Sequence, residues 1–183
     1  MKKLVYLISP NKIDQNFFAS LDKVLSFKNV KFFQLRLKNL SQKKLLNFSK
    51  RIVKITAKHK VKFIINDNFI LASKIKVDGC HMGQLDGSFK IARKKLKGKI
   101  LGITCHNSKI LANNAIENKA DYIAFGSFSK SKLKPNAKKA NIKVLKWAKK
   151  NIKKPIVVIG GITDKNYQRL IKAGANYIAI STF

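Results

Sequence analysis

The stretch Ile156-Val157-Val158-Ile159-Gly160-Gly161-Ile162-Thr163, followed by Ala173-Gly174-Ala175 and then Tyr177-Ile178-Ala179-Ile180, decides the fold. Two short β-branched runs, apolar at every position, are joined by a polar segment long enough for one helix. A strand apolar on both faces belongs in a parallel sheet covered by helices. Parallel neighbours need a crossover connection, which the intervening segment supplies. Gly174 stands where such a helix ends, and Thr163 before Asp164 reads as its cap.

The same unit recurs outward from this segment. Further strands are predicted at Leu4–Ile8, Phe32–Leu35, Lys62–Ile65, Asp78–His81, Ile100–Thr104 and Tyr122–Phe125. Helical stripes lie between them: Phe17, Leu21, Val24 and Leu25; Leu45, Ile52, Ile55 and Thr56; Ile142, Leu145 and Ala148, with Lys on the outer positions. Ser41 and Ser108 are candidate helix caps. Eight strands and seven helical segments, with no Pro/Gly/Ser-rich linker, predict a single (β/α)8 TIM barrel over residues 1–183. It is a short form lacking the helix after strand eight. An open doubly wound sheet is the alternative.

The chain has 183 residues and a formal net charge of +32, from 40 Lys+Arg against 8 Asp+Glu. Only Arg36, Arg51, Arg93 and Arg169 are Arg, and the Lys residues are spread in pairs along the chain. Arg is the usual bidentate reader of bases. This pattern reads as compositional drift on solvated positions, with no dedicated nucleic-acid binding, yet it attracts anionic substrates. No apolar run reaches the roughly 18 residues of a membrane span, and Leu4–Ile8 is too short for a signal peptide. Cys80 and Cys105 give no disulfide framework. A cytoplasmic setting is expected.

In a barrel of this class, function sits at the carboxyl ends of the strands, and the unusual polar residues fall there. Gln34, Arg36 and Lys38 alternate to one side of the second strand and its extension. Asn66-Asp67-Asn68 follows the third strand, as a site or as a turn and helix cap. Asp86 closes Asp78-Gly79-Cys80-His81-Met82-Gly83-Gln84-Leu85-Asp86, as a second carboxylate or the next helix cap. Two carboxylates on neighbouring strand ends suit Mg2+, which takes one or two of them plus phosphate oxygens. The Cys80-His81 and Cys105-His106 pairs offer at most one inward ligand each and lack zinc spacing. Gly160-Gly161, opening a helix, makes an anion site, with Ser181 and Thr182 beside it after strand eight.

Assembled in this order, Gln34-x-Arg36-x-Lys38, Asn66-Asp67 and Asp78-Gly-x-His81-x-Gly83-Gln84-x-Asp86 resemble thiamine phosphate synthases. The likeness continues through Gly102-Ile103-Thr104-Cys105-His106, Ala120–Gly126 and Ile159–Thr163. It implies a barrel enzyme joining an aminopyrimidine-methyl diphosphate to a thiazole phosphate, with loss of pyrophosphate by dissociative displacement. It further implies Mg2+ on Asp67 and Asp86. Arg36, Lys38, Lys134 and Asn66 would bind diphosphate oxygens, and Gln34 would face the pyrimidine. Thr104 and Ser131 would place hydroxyls near the substrates, and Gly161, Ser181 and Thr182 would hold the thiazole phosphate. Leu133 stands where the family carries a second hydroxyl in the strand-six loop. The missing last helix would bare the outer face of strand eight, which motivates a homodimer. Two rivals share the scaffold: a thiazole tautomerase with His106 as acid–base, and a non-catalytic binder of phosphorylated intermediates or nucleic acid.

Overall fold

The computed structural model describes residues 4–38, 40–128 and 139–181. Its elements run β1 (Val5–Ile8), α1 (Phe17–Leu25), β2 (Val30–Leu35), α2 (Gln42–Lys58), β3 (Lys62–Asn66), α3 (Phe69–Lys74), β4 (Gly79–Met82) and α4 (Phe89–Leu96). They continue with β5 (Ile100–His106), α5 (Lys109–Glu117), β6 (Tyr122–Gly126), α6 (Ile142–Asn151), β7 (Ile156–Ile159), α7 (Tyr167–Ala173) and β8 (Tyr177–Ile180). Each strand pairs in parallel with the next, and β8 pairs back onto β1, closing the barrel. Closure sets aside the open-sheet alternative.

The two-sided apolar strands divide into two cores. Leu7, Phe33, Leu35, Phe63, Ile65, Ile123, Phe125, Val158 and Ile178 face the helices. Tyr6, Ile8, Phe32, Ile64, Tyr122, Ala124, Val157 and Ala179 fill the barrel itself. Burial on both faces is why these strands carry no apolar–polar alternation. Aromatic rings plug the interior: Tyr6 stacks on Phe32 at 5.2 Å between centroids, and Phe32 meets Tyr177 edge-on at 5.2 Å. The outer face of β8 is not bare as expected, because Ile178 is buried in the helix-facing core.

The helices dock by the stripes read from the sequence, with Phe17, Leu21 and Leu25 buried on α1 and Leu45, Ile52 and Thr56 on α2. Ser41 and Ser108 cap α2 and α5, their hydroxyls accepting from the Lys44 and Leu111 N–H groups. Thr163 does not open α7. Asn166 accepts from the Thr163 N–H at 2.9 Å and donates to the Gly161 carbonyl at 2.8 Å, which folds residues 161–166 into a turn. The helix therefore starts at Tyr167, with Asn166 at the cap position.

Candidate active site

The mouth of the barrel is assembled from the carboxyl ends of several strands. Ser9, just past β1, ties down the end of β2. Its N–H donates to the Gln34 carbonyl and its Oγ accepts from the Arg36 N–H, both at 2.9 Å. This fixes the alternation that sends Gln34 inward. Gln34 is 2% exposed, and its Nε2 has no hydrogen-bond partner among the described residues. Buried amide donors are rarely left unpaired, which marks this one as a candidate donor to a bound substrate. Arg36 lies nearer the rim, with Nη1 on Asn11 Oδ1 at 3.3 Å, and Lys38 is exposed.

Asp67 follows β3 in the left-handed region, with φ 63°. Its N–H donates to the His81 carbonyl at 2.8 Å, which anchors the turn to β4. Asn68 is the cap of α3, its Oδ1 accepting from the Leu71 N–H at 2.8 Å, so Asp67 is free of that duty. Asp86 is not a helix cap either; Ser88 caps α4. Instead, Asp86 Oδ2 accepts from the Gly83 N–H at 2.5 Å. Gly83 permits that approach, since a Cβ there would lie 3.0 Å from the same oxygen.

The Asp67 and Asp86 carboxyls lie close enough for each to oppose ionisation of the other. Burial, then the neighbouring Asp86, push the Asp67 carboxyl up to about 7, against the opposing pull of Arg36 and Lys38. Two carboxylates this close do not both ionise unless a cation joins them; without one they share a proton. Their chemistry fits a hard divalent ion that completes its shell with phosphate oxygens and water. Among the described residues no third His, Cys, Asp or Glu joins them.

Behind this pair lies His81, buried, with Nδ1 2.9 Å from the Tyr122 hydroxyl and Nε2 2.8 Å from Thr104 Oγ1. Burial lowers its pKa to about 4, leaving a neutral ring. Cys80 points the other way, into the helix-facing core. Gln84 spans the next gap, donating to the Thr104 carbonyl at 2.5 Å. His106 is exposed on a bulge beyond Thr104, at φ 50°, and so lies outside the barrel interior.

On the opposite rim, Gly160 and Gly161 leave β7 with φ 85° and 66°, conformations that glycine adopts without strain. Ser181 is exposed just past β8, which pairs with β7. Gln34, Arg36, Lys38, Asn66, Asp67, Asp86 and Thr104 thus stand at or beyond the carboxyl ends of β2 to β5, and Gly161 and Ser181 beyond those of β7 and β8. Ser131, Lys134 and Thr182, with Leu133, lie outside the described residues. Sequence reasoning missed Ser9, Tyr6 and Tyr122. The small polar residue directly after an apolar strand was the available signal for Ser9.

A sequence model of the thiamine monophosphate synthase family matches residues 5–182. A thiamine-phosphate synthase of Pelagibacter ubique is 53% identical over 183 residues, covering 100% of this chain and 88% of that protein. One from Erythrobacter litoralis is 41% identical over 182 residues, covering 97% and 85%. Among solved structures, a thiamine phosphate pyrophosphorylase from Pyrococcus furiosus superposes with a TM-score of 0.86 at 24% identity, over 98% of this chain and 85% of that one.

Proposed function

The chain belongs to the thiamine monophosphate synthase family, and from that premise we propose how its barrel mouth performs the reaction. It is an enzyme of thiamine biosynthesis that makes thiamine phosphate. A pyrimidine-methyl diphosphate and a thiazole phosphate are joined, and pyrophosphate is released.

The observation that carries the site assignment is the close approach of Asp67 and Asp86 within the field of Arg36 and Lys38. In a chain with only 8 acidic residues, two carboxyls brought close together beside cations mark a place for a metal-bound diphosphate. Asp67 and Asp86 hold Mg2+ in this reading. When bound, Mg2+ offsets the negative charge that builds on the departing diphosphate.

The protein's own groups do the rest. Arg36, Lys38 and Lys134, with Asn66, bind diphosphate oxygens and stabilise them further as the carbon–oxygen bond breaks. The bonding electrons leave with pyrophosphate, and the thiazole nitrogen lone pair then forms the new carbon–nitrogen bond. Gln34, with its unused Nε2 donor, faces the pyrimidine, and Thr104 and Ser131 supply hydroxyls. Gly161, Ser181 and Thr182 hold the thiazole phosphate. No proton has to be removed from the nucleophile, which suits an interior whose one imidazole among the described residues is neutral and held between hydroxyls.

Purified protein given both substrates and Mg2+ is expected to form thiamine phosphate and pyrophosphate in equal amounts, and neither when one substrate is withheld. Pyrophosphate or phosphate release from the pyrimidine diphosphate alone would overturn the transferase reading in favour of hydrolysis.

A further inference from the structure

Four side chains from four strands form one hydrogen-bonded file through the barrel. The Tyr6 hydroxyl (β1) lies 2.7 Å from the Tyr122 hydroxyl (β6). Tyr122 reaches His81 Nδ1 (β4) at 2.9 Å, and His81 Nε2 reaches Thr104 Oγ1 (β5) at 2.8 Å. Among the described residues the Tyr6, Tyr122 and Thr104 hydroxyls have no other partners.

Counting hydrogens sets the direction of the file. Each hydroxyl carries one hydrogen and a neutral imidazole carries one, so four hydrogens serve three bonds and one is left over. It cannot be the imidazole hydrogen, because both ring nitrogens already face a hydroxyl. Left on Tyr6 or Tyr122, each 2% exposed, it would be a donor orphaned among Phe32, Ile64 and Ala124, a costly state. Thr104 alone is partly exposed, at the carboxyl end of β5. Its hydrogen can leave the file without penalty.

We infer that Tyr6 donates to Tyr122, Tyr122 donates to His81 Nδ1, and His81 Nε2–H donates to Thr104 Oγ1. The Thr104 hydroxyl hydrogen is thereby turned out into the mouth as a donor for an acceptor atom of the pyrimidine diphosphate. Tyr122 is a positioning residue: it touches no substrate and acts by fixing the tautomer and orientation of His81. On β2, Gln34 Nε2 is a second buried donor without an acceptor among the described residues, so the ligand surface presents acceptors. The assignment of the acceptor rests on the proposed function, whereas the direction of the file does not.

The test is the 15N spectrum of the imidazoles, with only 3 His in the chain, beside pyrophosphate-release kinetics. In the unaltered protein His81 is expected as the Nε2–H tautomer; an Nδ1–H tautomer overturns the inference. In Tyr122→Phe either tautomer leaves one ring nitrogen without its bond, so the tautomers are expected to mix. The kcat/KM for the pyrimidine diphosphate should then fall about tenfold, the worth of one hydrogen bond, with the KM for the thiazole phosphate unchanged. Thr104→Val is expected to cost the same, and the double variant no more, since both remove one interaction. Thr104→Ser should restore activity, and losses that multiply overturn the coupling. Tyr6→Phe keeps the Tyr122 donor and should keep the tautomer, which decides the matter if Tyr122→Phe does not fold. A protein with the expected tautomer that releases no pyrophosphate would refute the functional reading and leave the file's direction established.

Discussion

Asp67 holds its proton up to about pH 7 in the metal-free protein, well above the ordinary range of an unfolded Asp. Between about pH 4 and 7 the folded state thus binds more protons than the unfolded chain, so this carboxyl's contribution to stability falls as pH rises. Mg2+ competes for the same oxygens and should reverse that sign. The gain in Tm on adding Mg2+ is expected to grow from about pH 4 to 7 and level off above; a gain independent of pH would show that the ion binds elsewhere. His81 works the other way. Its pKa, lowered by burial to about 4, makes the unfolded chain the better proton binder between about pH 4 and 6.5, so its share of stability is lost as pH falls through that window. At this scale the sequence located Gln34, Arg36, Lys38 and Asp67 at or just past strand ends, because period-two alternation and strand ends are local signals. It was a poor guide to the buried file. Tyr6 and Tyr122 meet across 116 residues of chain, and nothing local to either tyrosine marks a polar partner inside the barrel.

Elements meet closely where side chains are missing. At Gly102 on β5, an added Cβ would overlap the ring carbon and hydroxyl of Tyr122 on β6, so the glycine is the space into which that phenol fits. Gly102→Ala is expected to cost about 1–3 kcal/mol by overpacking and to disturb His81 with it, read as a lower Tm and a shifted His81 imidazole resonance. At Gly98 an added Cβ would meet nothing within 4 Å, and its φ is not left-handed. Gly98→Ala should be neutral or gain a few tenths of a kcal/mol through the unfolded state. Equal melting of the two variants would contradict the packing account. All eight strands were legible to within two residues, since β-branched runs bounded by polar residues mark their own ends; the largest offsets are at β2, which starts at Val30, and at β5, which runs on to His106 through a bulge after Thr104. The start of α7 was misread because Thr163 and Asn166 both have capping side chains, and the one that captures Gly161 turns the chain first.

For the whole molecule, the +32 charge matters most for reactants that carry several negative charges. A field of that sign raises the encounter rate of anions and is screened by salt within about 10 Å at 0.1 M. The kcat/KM for either substrate is expected to fall steeply between low and high ionic strength while kcat changes little; an equal fall in both would place the charge effect in the chemical step. The family and its fold were legible because ordered motifs at successive strand ends imply a closed barrel. The central claim is that Asp67 and Asp86 together hold the metal that the diphosphate requires, and its most direct test is pyrophosphate release titrated with Mg2+ in the unaltered enzyme and in Asp67→Asn. The account expects saturable dependence on Mg2+ in the first. In the second, a loss of about 10²–10³ in kcat is expected, with the fold intact by its melting curve. Release by Asp67→Asn at the unaltered enzyme's rate and Mg2+ midpoint would contradict it.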